Sequence, residues 1–296
     1  MIYQNFLYDE PLFRPPSEAR SLILQPTIGC SWNNCAFCEM YTSKKFRIKP
    51  EEELLNEIET YSKTIPKPRK VFLADGNAMV LASSKLMKII EKINETFQGT
   101  PRISAYALPK DILSKSIKEL KTLNNAGLKL LYIGIESGDD EVLTLVNKGE
   151  TSDSTIQGLV KVREAGIKLS VMILTGLGGK KYHEQHAINS AKILNAIQPE
   201  YTSTLILSFP FGIERYKQRF KGEYIPMNPA DLLMEMRIFL EHTQLDGSIF
   251  RSDHASNYII LKGILSRDKK QLIEKIDFAL QHPDLANLRE DWQRGL

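Results

Sequence analysis

The sequence predicts an α/β fold in which short strands form a parallel sheet and helices cover it. Six continuously apolar runs recur along the chain, helical patterns separate them, and proline or glycine marks the boundaries of several helices. Continuous apolar strands that alternate with helices are typical of parallel sheets covered on both faces. Six such units in succession favour a partial (β/α)6 barrel, with an open doubly wound sheet as the alternative.

The predicted elements follow one another in a regular order. The strands are residues 22–27, 71–74, 103–106, 130–135, 169–175 and 204–207. The helices are residues 51–61, 84–96, 112–125, 140–146, 154–165, 184–196 and 230–241. Pro50 followed by three glutamates suits a helix start, because proline fits the first turn and acids face the positive end of the helix dipole. Gly127 and Gly166 are positioned as helix stops.

We predict one core domain, residues 20–245. A short N-terminal segment, residues 1–19, precedes it, and a C-terminal extension, residues 246–296, closes the barrel. The chain has 296 residues with a hydrophobic share of 42%, which is enough for a sizeable buried core.

Charge and hydropathy exclude several classes of protein. The net charge of +3 is too small to indicate a nucleic-acid partner or a membrane surface. No apolar stretch approaches the roughly 20 residues that span a bilayer. The first 16 residues lack the apolar core of a signal peptide. We therefore expect a cytoplasmic protein with no membrane partner.

Three cysteines in the loop after the first predicted strand carry the strongest chemical signal. Cys30, Cys35 and Cys38 are the only cysteines, and their spacing is C-x4-C-x2-C. Three thiolates on one short loop indicate a metal site, and on a four-iron cluster they would leave one iron open for a small molecule. Two alternatives stay open at this point: a disulfide with a spare thiol, and a structural zinc site with a distant fourth ligand.

Small and polar residues follow three of the other predicted strands. They are Asp75, Gly76 and Asn77 after the second strand, Glu136, Ser137 and Gly138 after the fourth, and Gly176 and Gly178 after the fifth. Each group alone could be a turn or a helix start. Because ligands bind at the carboxyl ends of parallel strands, the groups together predict a ligand site beside the cysteine loop.

The cysteine loop resembles that of the radical S-adenosylmethionine (SAM) enzymes, although its first gap is one residue longer than the usual C-x3-C-x2-C. Residues 132–138, with Lys148 after them, resemble the fourth-strand region of the MiaB, NifB and oxygen-independent coproporphyrinogen oxidase type. Residues 72–77 occupy the place of that family's Gly-Gly-Glu motif but depart from its sequence. Residues 172–179 resemble its fifth-strand glycine motif. The resemblance covers roughly residues 20–265.

The resemblance implies a [4Fe–4S] cluster on Cys30, Cys35 and Cys38, with the amino and carboxylate groups of SAM on the open iron. A flavodoxin- or ferredoxin-type donor would supply one electron, and a 5′-deoxyadenosyl radical would abstract a hydrogen atom from substrate. No acid–base catalytic set is implied. The implied cofactor-binding residues, with Phe37 beside the adenine, are Phe37, Asp75, Gly76, Asn77, Glu136, Ser137, Gly138, Lys148, Gly176 and Gly178.

A polar loop late in the chain is the predicted substrate site. Its donors and acceptors suit a sugar, a phosphate or a base edge, and its arginine suits a phosphate or carboxylate. The alternative is a hydrogen-bonded loop that caps the barrel. The predicted substrate residues are Arg251, Asp253, His254, Asn257 and Tyr258.

The predicted function is therefore hydrogen abstraction from a small molecule or nucleotide, by an enzyme of lyase or oxidoreductase type. One small enzyme of this plan is the lyase that releases queuine base from a queuosine nucleotide, although no motif here singles it out. A non-catalytic iron–sulfur or zinc-binding module is the alternative of another class. Consumption of SAM separates the enzyme from the module.

Overall fold

The computed structural model describes residues 6, 8–99, 101–209 and 212–294. The strands are β1 (Leu22–Leu24), β2 (Thr27–Ile28), β3 (Arg47–Ile48), β4 (Lys70–Leu73), β5 (Arg102–Tyr106), β6 (Leu128–Glu136), β7 (Lys168–Thr175), β8 (Tyr201–Ile206), β9 (Ile249–Ser252) and β10 (Leu261–Ile264). The helices are α1 (Glu51–Thr64), α2 (Ser83–Thr96), α3 (Pro109–Leu113), α4 (Ile117–Ala126), α5 (Asp140–Leu145), α6 (Ser152–Glu164), α7 (Gly179–Ile197), α8 (Ile213–Arg219), α9 (Pro229–His242) and α10 (Leu265–Gln281).

Eight strands form one sheet in the order β1-β4-β5-β6-β7-β8-β9-β10. The pairs from β1 to β6 and from β7 to β9 are parallel, and β10 is antiparallel to β9. A helix follows each of the strands β4 to β8 before the next strand of the sheet, and α1 follows β1. The predicted α/β class is thus confirmed.

The chain divides into two compact units. The first contains the residues up to Asn33, Cys38–Ile133 and Gly158–Leu169, and the second contains Asn34–Phe37, Gly134–Gln157 and the residues from Ser170 onward. The predicted division into residues 1–19, 20–245 and 246–296 stays a prediction.

In the first unit, helix α2 shows how the sequence pattern creates the core. Leu86, Ile90 and Ile93 recur at spacings of four and three residues, and all three are fully buried. This spacing places apolar side chains on one face of a helix, which then packs on its neighbours. Phe72 and Tyr106 pack edge to face on the sheet, with ring centroids 5.0 Å apart.

In the second unit, strands β7, β8 and β9 present two different faces. Val171, Thr202 and Phe250 lie on the face that is fully buried. The alternate positions Met172, Ser203 and Arg251 are Cα partners across the three strands and are half-buried or exposed. We call Met172, Ser203 and Arg251 the open row; it belongs to the more accessible face of these three strands.

The elements differ from the predicted ones in places that have a physical cause. The first predicted strand is interrupted before Thr27, because Pro26 has no N–H for the sheet ladder. The predicted helix 112–125 is two helices, because Ser116 caps α4 in a capping box with Glu119. Helices α8 and α10 were not predicted. No helix of the described ranges is both long and apolar enough to cross a membrane.

Candidate cofactor and substrate site

The cysteine loop begins and ends at a small sheet of its own. Strands β2 and β3 pair antiparallel, with Thr27 opposite Ile48 and Ile28 opposite Arg47, so residues 29–46 form a loop that is closed at its base. Cys30 and Cys38 are half-buried and Cys35 is buried; none of the three, all in the described ranges, is in a disulfide.

Asp75, directly after β4, anchors the start of this loop within the first unit. Its fully buried carboxylate accepts a hydrogen bond from the Gly29 N–H at 3.0 Å and pairs with the Lys44 ammonium at 2.8 Å. The Thr27 hydroxyl donates to the Asp75 carbonyl oxygen at 2.9 Å. Asp75 has a φ of +57°, an uncommon backbone conformation for an aspartate. The Asp75 contacts described here all go to residues that lead into or out of the cysteine loop.

Asn77 holds the residue that follows the first cysteine. Its side-chain oxygen accepts from the Ser31 N–H at 3.0 Å, and its amide donates to the Ser31 hydroxyl at 2.8 Å and to the Asp111 carboxylate at 2.7 Å. Burial raises the pKa of Asp111, although the bonds from Asn77 and from the Leu108 N–H oppose that rise. Asn77 therefore orients the loop backbone.

Gly76 permits a backbone contact that no other residue allows. A Cβ at this position would lie closer than 3.0 Å to both the Gly29 oxygen and the Cys30 Cα, and φ is +41°. The Gly76 N–H donates to the Tyr41 hydroxyl at 3.0 Å, and burial raises the pKa of that phenol. The contacts of Asp75, Gly76 and Asn77 with SAM stay predictions; what the structure shows is that they hold the cysteine loop.

Glu136 and Lys148 form a buried acid–base pair in the second unit. The Lys148 ammonium lies 3.6 Å from one carboxylate oxygen of Glu136 and 5.9 Å from the centre of the half-buried Phe37 ring. The other Glu136 oxygen is buried and has no hydrogen-bond partner among the described residues. Burial raises the pKa of Glu136, and Lys148 opposes that rise. Glu136 also has a φ of +68°, and strain at such a residue is typical of functional sites.

The middle of the cysteine motif is fixed within the second unit as well. The Ala36 N–H donates to the Val146 oxygen at 2.8 Å, and the Arg219 guanidinium donates to the oxygens of Asn34 and Cys35 at 3.2 and 3.3 Å. Arg219 belongs to a basic amphipathic segment, and such a segment is usually a solvated surface. Its contact with the Cys35 backbone has no signal in the sequence.

Ser137 and Gly138 pack against helix α7. The Ser137 hydroxyl lies 2.7 Å from His186 Nδ1, and the Gly138 N–H donates to the Ser190 hydroxyl at 2.9 Å. A Cβ on Gly138 would lie closer than 3.0 Å to the backbone of Asn189. These contacts with α7 fix the position of the end of β6.

Gly176 and Gly178 are held in the same way after β7. The Gly176 N–H donates to Glu235 at 2.7 Å and its oxygen accepts from the Tyr224 hydroxyl at 3.1 Å. A Cβ on Gly178 would lie 2.7 Å from that of Tyr182. Glu235 was not predicted as a site residue, although its position within the apolar stripe of α9 was a signal for a buried acid.

The predicted substrate loop follows β9. Asn257 is buried, and its amide completes the hydrogen bonding of β8: it donates to the Thr204 oxygen at 2.9 Å and accepts from the Ile206 N–H at 3.1 Å. Asp253 pairs with Lys262 at 2.8 Å at the surface. These contacts are those of a loop that caps the sheet.

The other predicted substrate residues are more accessible. Arg251 is exposed and lies in the open row, and its guanidinium donates to the Phe250 oxygen at 3.0 Å. His254 is exposed in part; the packing around the rest of its ring, together with the charge of Arg289, lowers its pKa. The Tyr258 hydroxyl donates to Asp291 at 3.0 Å. The substrate role of all five residues stays a prediction.

The residues present fit an iron–sulfur cluster and SAM. Three thiols are soft donors, the kind of ligand by which iron–sulfur clusters are held. No group of three or more His, Cys, Asp or Glu side chains in the described ranges stands preassembled at metal-ligand spacing. The unpartnered Glu136 oxygen is the feature expected beside a polar ligand.

Comparison with known proteins gives a consistent result. Residues 24–191 match the model of the radical SAM superfamily. The heme chaperone HemW of Bacillus subtilis is 26% identical over 170 residues, which are 55% of this chain and 45% of HemW. This chain thus spans less than half the length of that relative.

Two solved structures share the fold. Coproporphyrinogen III oxidase (HemN) of Escherichia coli, described as a radical SAM enzyme, superposes with a TM-score of 0.59 at 19% identity, over 75% of this chain and 52% of HemN. Methylornithine synthase (PylB) superposes with a TM-score of 0.52 at 14% identity, over 87% of this chain and 81% of PylB. The family model spans more than half of the sequence and includes the three cysteines. The chain belongs to the radical SAM superfamily.

Proposed function

We propose that this protein uses a [4Fe–4S] cluster on Cys30, Cys35 and Cys38 to cleave SAM reductively and abstract a hydrogen atom from a small anionic substrate. Members of the superfamily are enzymes that use this cluster and SAM. The observation that carries the proposal for this chain is the cysteine loop itself, whose start is held by the buried Asp75 and Asn77. When bound, the cluster and SAM supply a one-electron cleavage and a carbon-centred radical.

The chain's own residues hold and orient these groups. Glu136 is positioned to accept a hydrogen bond from the SAM amino group or a ribose hydroxyl, because one of its oxygens is buried without a partner among the described residues. Lys148 keeps compensating positive charge 3.6 Å from the other oxygen. The half-buried Phe37 offers an aromatic face to the adenine. Burial of these groups also keeps solvent, and with it hydrogen-atom donors such as thiols, away from a radical.

The open row supports an anionic substrate. Met172 and Ser203 offer an apolar surface and a hydroxyl, and Arg251 is the exposed cation of the row. A guanidinium has five N–H donors, so its bond to the Phe250 oxygen leaves capacity for a carboxylate or phosphate. A small acid or a nucleotide fits this combination. The comparisons favour neither a queuosine-nucleotide lyase nor a non-catalytic module.

The electron donor we propose is a flavodoxin or ferredoxin type, since the cluster needs one low-potential electron for each cleavage. We propose the cytoplasm as location, because thiols stay reduced there.

Anaerobic reconstitution tests the cofactor. We expect about four iron and four sulfide per chain, and slow release of methionine and 5′-deoxyadenosine after reduction with dithionite. Each of Cys30→Ala, Cys35→Ala and Cys38→Ala should abolish both results, because two thiolates hold such a cluster poorly. Zinc in place of iron, or iron without SAM cleavage, would contradict the proposal.

Two arginines test the substrate site. Low-molecular-mass cell extract should accelerate 5′-deoxyadenosine release by the wild type, and Arg251→Ala should lose this stimulation. The matched control is Arg267→Ala, which removes an exposed arginine that pairs with its neighbour Asp268 on α10. The proposal of an anionic substrate is contradicted if the extract stimulates both variants equally. It is also contradicted if the stimulation survives removal of all anions from the extract.

A further inference from the structure

A buried polar chain lies behind the ends of β6 and β7 and is not used by the proposed chemistry. The Ser137 hydroxyl lies 2.7 Å from His186 Nδ1, His186 Nε2 lies 3.7 Å from Glu235 Oε1, and that oxygen accepts from the Gly176 N–H at 2.7 Å. His186 also forms a hydrogen bond with the backbone of Leu174, the second-last residue of β7. Two side chains from α7 and α9 thus connect the two strand ends that carry predicted SAM residues.

Among the described residues, the surroundings of Glu235 satisfy only one of its two carboxyl oxygens. Its second oxygen, Oε2, is buried and has no hydrogen-bond partner within the described ranges. The titratable groups that face it are His186 and the hydroxyl of Tyr224, and neither bonds Oε2. A small cavity on the helix-covered side of the sheet adjoins it, lined by Ile173, Thr175, Ala187, Thr204, Met236 and Phe239.

This setting keeps both members of the pair neutral near neutral pH. Burial raises the pKa of Glu235 to about 8, and the bond from the Gly176 N–H opposes that rise only in part. Burial lowers the pKa of His186 to about 4. An ionised Glu235 would have one N–H donor and no facing cation, so it would draw water into the cavity and disturb the Gly176 turn.

We propose that Glu235 and His186 are positioning residues that hold the SAM-binding ends of β6 and β7 in one geometry, and that they do so only while the Glu235 carboxyl is uncharged. The inference rests on the proposed function, because it takes Ser137 and Gly176 as residues beside SAM. It adds two residues that touch neither cofactor nor substrate. The inference also means that the affinity for SAM falls at alkaline pH, as the Glu235 carboxyl on α9 ionises.

The test compares the wild type with Glu235→Gln, which keeps the shape and the acceptor oxygen but cannot ionise. The affinity of each reconstituted protein for SAM is measured by anaerobic equilibrium dialysis between about pH 7 and pH 9. The neutral fraction of Glu235 falls about tenfold over this range, so the wild-type Kd should rise about tenfold relative to that of the variant. Titration of SAM itself is common to both proteins and cancels in this ratio.

Glu235→Leu provides a second arm, because it removes the acceptor and leaves the Gly176 N–H unpaired. It should bind SAM about tenfold more weakly at every pH, with unchanged iron content. An independent readout needs no cofactor: the melting temperature of the metal-free wild type should fall from about pH 6.5 to pH 8 relative to Glu235→Gln.

Three outcomes separate the possibilities. A constant ratio of the wild-type and Glu235→Gln affinities between pH 7 and pH 9 overturns the inference, even where the wild type binds and cleaves SAM. A wild type that binds no SAM overturns the proposed function instead, and the melting curves then still report whether Glu235 titrates. If Glu235→Leu does not fold, the comparison with Glu235→Gln decides alone.

Discussion

Replacing Gly76 by alanine tests the idea that the cysteine loop is held by direct backbone contact. The new Cβ would lie closer than 3.0 Å to the Gly29 oxygen and the Cys30 Cα, and both belong to the backbone, which cannot turn away as a side chain can. The φ of +41° at this position adds about 1–2 kcal/mol for any residue with a Cβ. Overpacking adds about 1–3 kcal/mol, so the free energy of unfolding should fall by about 2–5 kcal/mol.

Two glycines supply matched controls for this experiment. Gly212 has a φ of +88° and no described atom within 4 Å of an added Cβ, so Gly212→Ala carries only the conformational cost. Gly247 is equally open in the described structure and has no such φ, so Gly247→Ala should be neutral. Each variant is melted and then reconstituted with iron and sulfide.

We expect Gly76→Ala to melt roughly 10 °C below the wild type, since 1 kcal/mol shifts the melting temperature of a chain of this size by about 2–4 °C. It should also lose most of its iron, because displacement of the backbone at Cys30 moves a ligand. If Gly76→Ala melts together with Gly212→Ala and loads a full complement of iron, the loop accommodates the methyl group and the reasoning is refuted.

Three other perturbations probe the buried polar groups. Lys44→Met should lower the free energy of unfolding in urea by about 3–5 kcal/mol, because the buried Asp75 carboxylate loses its cation. The second substitution Asp75→Asn should recover part of the lost stability. If no stability is recovered, the two residues do not act as a pair. Burial raises the pKa of Glu235 from 4.5 to about 8, so the stability that is present below about pH 4.5 is lost as the pH rises to 8, in total roughly 5 kcal/mol. The lowered pKa of His186 has the opposite effect, because it removes stability as the pH falls from 6.5 to about 4. If the free energies of unfolding in urea of the wild type and Glu235→Gln change in parallel from pH 5 to pH 8, Glu235 does not titrate in this way. Asn257→Ala should destabilise by about 1–3 kcal/mol, because the Thr204 oxygen near the end of β8 loses the amide that donates to it. Asp253→Ala breaks a surface ion pair and should change the stability by less than about 1 kcal/mol. Equal effects would show that Asn257 is not needed to complete the sheet.

The parallel sheet was predictable because its strands are buried on at least one face and therefore carry apolar runs. Residues 71–74 and 103–106 were placed within one residue of β4 and β5. The helix break before α4 also has a sequence signal, because Ser116 and Glu119 form a capping box. The apolar periodicity continues through this break, so the pattern alone predicted one helix. Local rules thus determine most of the elements, and errors fall where two local rules compete.

Side-chain partners were less predictable, because they depend on which loops the fold brings together. The resemblance assigned Asp75 and Asn77 to SAM, yet the partners seen here, Gly29 and Ser31, each lie 46 positions away in the sequence. His186 and Glu235 belong to different helices, and neither helix contains a motif that connects them. Distances in sequence of this size carry no local signal, so such contacts become visible only in the folded chain.

The short sheet of β2 and β3 has a consequence for how the metal site assembles. In many small metal proteins the ion itself closes the loop that binds it, so that removal of the ion unfolds the chain. Here backbone hydrogen bonds between Thr27–Ile28 and Arg47–Ile48 close the loop instead. Closing an 18-residue loop costs on the order of 2–3 kcal/mol of chain entropy, and the pairing of β2 with β3 offsets this cost before any metal binds. The thiols are held at a high local concentration before any iron arrives, and a chelator should strip the cluster from a protein that stays folded and can be loaded again.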